Sequence, residues 1–144
     1  MAGQISNAGE LLALTAVFPA TGTYVMLLSP VSGAFAIDDT TTLAAAAAVE
    51  VPAGTGYIRK PIAWTTPTVV AGAGTVSNSV IIDFGNWVID QGTNKISQIA
   101  IVDAVSGTTG KVLAWFVITA GGELQPVAGQ PVRIPIGGLS ISLD

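Results

Sequence analysis

The chain has 144 residues, half of them hydrophobic and only a tenth charged, with five Lys or Arg, nine Asp or Glu, and neither His nor Cys. That length suits a single domain, expected here over 1–144. Without imidazole or thiol there are no disulfides and few of the usual nucleophiles or metal ligands, and five cations are too few for the clustered Lys and Arg of nucleic-acid binding. Such a domain must be stable through packing or assembly alone. Average soluble domains are about one quarter charged, so much of this surface must be Thr, Ser, Asn, Gly or apolar. Apolar surface of that kind usually meets a partner.

Ser6 is placed to cap a helix over about residues 7–17, with Glu10 in its first turn and Pro19 ending it. Leu11, Leu14, Val17 and Phe18 fall on one face, as expected of a core-packing helix. The apolar run after Glu10 has no basic residue before it, unlike a secretory signal. Pro19, Gly22, Pro30 and Gly33 keep it from reaching the roughly 18 residues of a membrane span, so no membrane partner is expected.

Thr23 to Leu28 has the aromatic and β-branched character of a strand closed by Ser29-Pro30, and Gly33 to Ile37 suggests a second short strand. The cluster Asp38-Asp39-Thr40-Thr41-Thr42 before Leu43 and the alanine run Ala44 to Ala48 suits an N-cap feeding a helical turn. The same run also suits an extended arm lying on another subunit. Nothing local separates these two readings.

Beyond Val49 come short β-rich runs bounded by Gly, Pro, Asn or Ser: Tyr57 to Thr65, Ser79 to Phe84, Ile96 to Asp103, Val112 to Thr119, Val132 to Pro135 and Leu139 to Leu143. This spacing predicts a mainly β fold, a single antiparallel β-sandwich (jelly-roll-like) with a short N-terminal helix. Ile99 to Val102 and Leu113 to Ile118 are apolar at every position, so their strands are central or covered by another layer. Ser106 to Gly110 between them is a hairpin loop, and Ala71 to Thr75 reads as a flexible loop.

The carboxylates show no spacing that would pair two of them across a sugar-binding cleft. Asp83 should point away from the core, and Asp103 should cap the turn after its strand. Tyr57, Trp64, Trp87 and Trp115 would make a sugar platform only if exposed; tryptophans in a small β domain more often anchor the core. Gly54-Thr55-Gly56 and Gly72-Ala73-Gly74 lack the third glycine or the Lys-Ser/Thr pair of a phosphate loop. Asp38-Asp39 lack the alternating oxygen ligands of a calcium loop. Arg59 and Lys60, adjacent on a strand, should point to opposite faces as solvated strand ends. No catalytic residue, cofactor or metal is expected.

Several segments together resemble a family of small tailed-bacteriophage virion proteins, often labelled tail-fibre-like, some of which sit on the capsid surface. They are the Ser6-Asn7 helix, the Tyr24 strand, Glu50 with Gly54, Gly56 and Tyr57-Ile58-Arg59, and Ser77-Asn78-Ser79 leading to Phe84. Trp87 before a strand ending at Asp103, and the close from Ile134-Pro135-Ile136-Gly137-Gly138 to Leu139-Ser140-Ile141-Ser142-Leu143-Asp144, complete the pattern. The Ala44 to Ala48 run and the Asn94-Lys95 loop depart from it.

The resemblance implies a virion structural protein. The leading expectation is a capsid decoration or cement protein bridging shell subunits, with the major capsid protein or other virion proteins and further copies of itself as partners. Residues 1–5 and 38–51 are the candidate interface arms, with Ile5, Thr40, Leu43, Ala46, Val49 and Val51 as contact residues. A tail fibre or baseplate component touching the host surface is the alternative location. A glycan-binding module is the competing class, and it requires Trp64 and Trp87 to stand exposed side by side.

Overall fold

The computed structural model describes residues 5–31 and 35–143. Helix α1 (Asn7–Val17) begins where the Ser6 hydroxyl accepts the Gly9 amide at 3.3 Å, satisfying one of the donors that a first turn leaves unpaired. Its buried stripe is Glu10, Leu14 and Phe18, while Val17 is exposed and Leu11 only half-buried. The expected face is thus rotated toward an acid. The reason is a hydrogen bond: the Glu10 carboxylate accepts the Gly74 amide at 2.7 Å across 64 residues. A Cβ on Gly74 would stand 2.8 Å from the Glu10 Cβ, so glycine is what lets the helix lie this close.

The remaining elements are β1 (Tyr24–Leu28), α2 (Leu43–Ala47), a 3-10 turn at Ala53–Thr55, β2 (Lys60–Pro61), β3 (Thr68–Val70) and β4 (Ala73–Ser77). They continue with β5 (Ile82–Asn86), β6 (Gln98–Val102), β7 (Val112–Val117), β8 (Pro131–Ile134) and β9 (Ser140–Leu143). All strand pairs are antiparallel. The main sheet has the order β2-β1-β6-β7, and the layer facing it is divided into β3-β4-β9 and β5-β8.

Alternation along β1 explains why its sequence is apolar throughout. Val25 and Leu27 enter an inner core with Ile99, Ile101, Val76, Ile82, Phe84, Val132, Leu14 and Phe18. Met26 and Leu28 enter an outer core with Ala100, Val102, Leu43 and Ala46. With α2 over one face and the smaller sheets over the other, β1 and β6 are central and also covered on both sides.

Four expectations need correcting. The run Tyr57 to Thr65 forms a strand only at β2, with a further bridge from Trp64 to Asn78, because Pro61 has no amide to extend the ladder and Tyr57 and Arg59 are engaged elsewhere. Of Gly33 to Ile37, residues 33–34 lie outside the described residues and 35–37 are not a strand. Residues 38–51 are no extended arm: Thr42 caps α2 by accepting the Ala45 amide at 3.2 Å, and Leu43 and Ala46, three apart on that helix, are buried. Ala71 to Thr75 is no flexible loop but a tight turn at Ala71-Gly72 followed by the start of β4.

Both residues of that turn have positive φ, 52° at Ala71 and 92° at Gly72, the geometry of a two-residue hairpin in which Asn tolerates the first position better than Ala. Two nearby substitutions should therefore act with opposite sign in urea denaturation. Ala71→Asn is expected to stabilise by about 0.5–1 kcal/mol, and Gly74→Ala to destabilise by about 1–3 kcal/mol through overpacking against Glu10.

Candidate functional site

The densest polar constellation gathers Glu50, Tyr57 and Arg59. Val49 to Val51 runs beside the end of β1, where Ser29 donates to Val49 O and Val51 donates to Leu27 O. The 3-10 turn then reverses the chain through Gly56 at φ 87°, which brings Tyr57 and Arg59 back over Glu50. Arg59 grips the carboxylate with two donors, Nε to Oε1 and Nη2 to Oε2, both at 2.8 Å. Its guanidinium also donates to Ala104 O at 3.1 Å and Gly107 O at 2.8 Å, in the loop between β6 and β7. The Tyr57 hydroxyl accepts the Leu27 amide and donates to Glu50 Oε1, each at 3.0 Å.

Arg59 is therefore not a solvated strand end, as its sequence context suggests, but a buried cation only 6% exposed. The hydrogen bond to Glu50 raises its pKa further, against the opposing effect of burial. Burial, and then the Glu50 charge, push the Tyr57 phenol far above its ordinary range and keep it a neutral donor.

A second pin is Asn78, which is fully buried. Its Nδ2 donates to Val80 O and Pro135 O at 2.8 Å, and its Oδ1 accepts the Leu139 amide at 2.9 Å. Two backbone bonds, Asn78 to Leu139 O and Gly137 to Asn78 O, fix the turn before β9 to the same residue. Asp83 does point outward, pairing with Arg133 at 2.9 Å on β8, and Asp103 accepts the Lys111 amide at 2.6 Å across the hairpin.

Trp64 and Trp87 are 7% and 2% exposed, with their indole N–H groups donating to Thr23 and Gln91. They form no outward platform. Of the expected interface residues, Leu43 and Ala46 lie in the outer core and Val51 in the inner core. Val49 is half-buried, and only Ile5 and Thr40 are exposed. The structure does not bring the six together.

Outward apolar side chains lie elsewhere. Ile58 and Val105, 60% and 59% exposed, flank a hollow of about 230 Å³ floored by Glu50, Tyr57 and Arg59. Val88 extends this surface, since its amide donates to Thr55 O and its side chain packs over Gly56. Strand alternation from Tyr57 to Arg59 was the available signal for Ile58: if its neighbours point inward, it points out. A larger hollow of about 440 Å³ lies beside Phe35, Lys95, Gln98 and Glu123. The Gln98 side-chain oxygen Oε1 is buried and has no hydrogen-bond partner among the described residues, and Gln98 lines that hollow.

A mainly β scaffold with polar side chains knotted internally and aliphatic side chains turned outward is the class this geometry defines. Residues 7–142 match the family described as podophage GP4 fiber I protein gp80. The chain belongs to that family and is a bacteriophage virion structural protein. No curated protein and no solved structure matches it.

Removing one partner from the ionic pin should be costly, because the other charge is left without its counterion. Arg59→Ala is expected to lose about 3–5 kcal/mol in chemical denaturation, and Arg59→Lys to recover only part of this, lacking the two-pronged grip.

A raised phenol pKa means that the folded chain holds its proton more tightly than the unfolded chain. The stability Tyr57 contributes is present below the ordinary tyrosine pKa of about 10 and is lost as pH climbs from there toward the folded value. Tyrosinate absorbance from Tyr57 should accordingly appear only together with loss of the β-sheet circular dichroism signal.

Proposed function

We propose that this chain is a fibre component on the outside of the virion, acting through surface contact and carrying no catalytic site. The observation that carries this reading is the match to a fibre protein family across residues 7–142. The placement of chemistry-bearing residues agrees with it. The Glu50, Tyr57 and Arg59 groups direct most of their hydrogen bonds at one another and at backbone groups of this chain.

The surface around Ile58, Val88 and Val105 is the proposed contact with a neighbouring virion protein. Ile58 follows Tyr57 in the segment that the ionic pin fastens to β1, Val105 stands in the β6–β7 loop whose carbonyls accept from Arg59, and Val88 is tied by its amide to Thr55 O. Pre-organised apolar surface binds with less ordering cost than a flexible arm, and each Å² removed from water contributes about 25 cal/mol. A shell-bridging decoration role finds less support. It drew on arms over 1–5 and 38–51; residues 1–4 lie outside the described residues, and in the second arm Leu43, Ala46 and Val51 are filled into this chain's own cores.

Copy number per particle tests the reading directly. Quantitative mass spectrometry of purified virions should give a few or a few tens of copies, with nanogold label confined to fibres; hundreds of copies spread over the shell would replace it with the decoration role.

A further inference from the structure

The two outer edges of the main sheet are built differently. Edge β2 is two residues long and consists of Lys60 and Pro61, a charge and a residue without an amide, both of which discourage another strand from pairing there. The opposite edge, β7, is six residues of sequence Val-Leu-Ala-Trp-Phe-Val, with no charge, proline or glycine.

Its backbone is also available. The Ile118 amide donates to Ser97 O at 2.9 Å, and hydrogen-bonded and non-bonded pairs alternate along an antiparallel ladder. Trp115 and Val117, opposite Ala100 and Gln98, therefore direct their N–H and C=O groups away from β6. Among the described residues no turn or loop hydrogen bond takes them up. The same two residues carry apolar side chains 38% and 65% exposed. Their register puts them in line with Met26 and Leu28 on the face that α2 covers, just past the reach of that cover.

We infer that β7 pairs antiparallel with β7 of a second copy of this chain, about a twofold axis near Trp115, joining two main sheets into one. A second copy is the occupant that fits the charge pattern. The edge offers no carboxylate to a basic partner and no cation to an acidic one, so its complement must be an uncharged strand with free backbone groups, and β7 is such a strand. About an axis at Trp115, Lys111 of one copy falls opposite Thr119 of the other, so no like charges meet although each chain carries a formal net charge of -4. Such a contact is the same patch on both partners, as a closed twofold requires.

Sedimentation equilibrium of the full chain over a wide concentration range tests this. The wild type should associate to a dimer. Val117→Lys should weaken that dimer at least tenfold while leaving far-ultraviolet circular dichroism unchanged. Trp115→Gln should weaken it likewise, which guards against misfolding of either variant. Leu12→Lys, on the outward face of α1 and 72% exposed, should leave it intact. A wild type that stays monomeric throughout overturns the inference, including one that instead pairs through β7 with a different virion protein. So does a dimer that folded Val117→Lys and Trp115→Gln leave unchanged.

Discussion

A guanidinium that is nearly dehydrated must find a counterion and acceptors for its N–H groups, or it will not stay buried. In this chain Arg59 meets that constraint with the Glu50 carboxylate and two backbone carbonyls of the loop between β6 and β7. Glu50 must therefore follow α2 at a fixed distance, the 3-10 turn must return the chain within a few residues, and the loop after β6 must come close enough to offer Ala104 O and Gly107 O. Tyr57 closes the arrangement by linking the same carboxylate to the β1 backbone. Alignment of β1, the α2 exit and the β6–β7 hairpin thus depends on one ion pair. An apolar cluster there would pack as well and specify position less tightly.

Asn78 does the same for the opposite layer with an uncharged group. One side-chain amide with all its main bonds made ties the β4–β5 connection to the turn before β9, and hence joins the two small sheets that face the main one. Glu10 provides the third tie, from α1 to β4. These residues sit within the short motifs by which the sequence resembles its family: Glu50 with Tyr57 and Arg59, Asn78 between two serines, and the helix begun by Ser6. Aliphatic positions around them can trade volume with their neighbours, but a buried polar group has few substitutes once its partners are fixed. That is why a resemblance in this fold is carried by scattered polar residues and turn glycines.

How much of the molecule could be read in advance follows from the same distinction. Local signals served well: Ser6 and Pro19 bound α1, apolar runs marked β1, β6 and β7, and Ser106 to Gly110 marked the hairpin. Alternation placed Asp83 outside. Tertiary pairings were not legible. Nothing near Glu10 or Arg59 in sequence announces a partner 64 residues away or a loop beyond position 100, so Glu10 reads only as a first-turn acid of α1 and Arg59 as a solvated strand end. Ala71 to Thr75 misled because small residues suit a loop by composition, while the tight turn needs only two of them and β4 takes the rest. The alanine run was ambiguous for a different reason: a five-residue helix gains little from propensity alone, and its conformation is decided by Leu43 and Ala46 finding the open face of β1 and β6.

That open face also accounts for what remains on the surface. A five-residue helix covers two strands and not four, so the outer face of the main sheet is sealed at β1 and β6 and uncovered toward β7. The chain has too few charges to dress the remainder: five cations serve all 144 residues, and among the described residues Arg59 and Arg133 are already held in ion pairs. Carboxylates are likewise drawn into contacts, with Glu10 and Glu50 used internally and Asp38, Asp83 and Asp103 bonded to nearby backbone amides. A sparsely charged exterior then follows, because the chain has few charges and Glu10, Glu50 and Arg59 among them are engaged in holding its elements together. For a virion component, whose working state is an assembly, aliphatic and indole side chains left outside lose that exposure when a neighbour covers them.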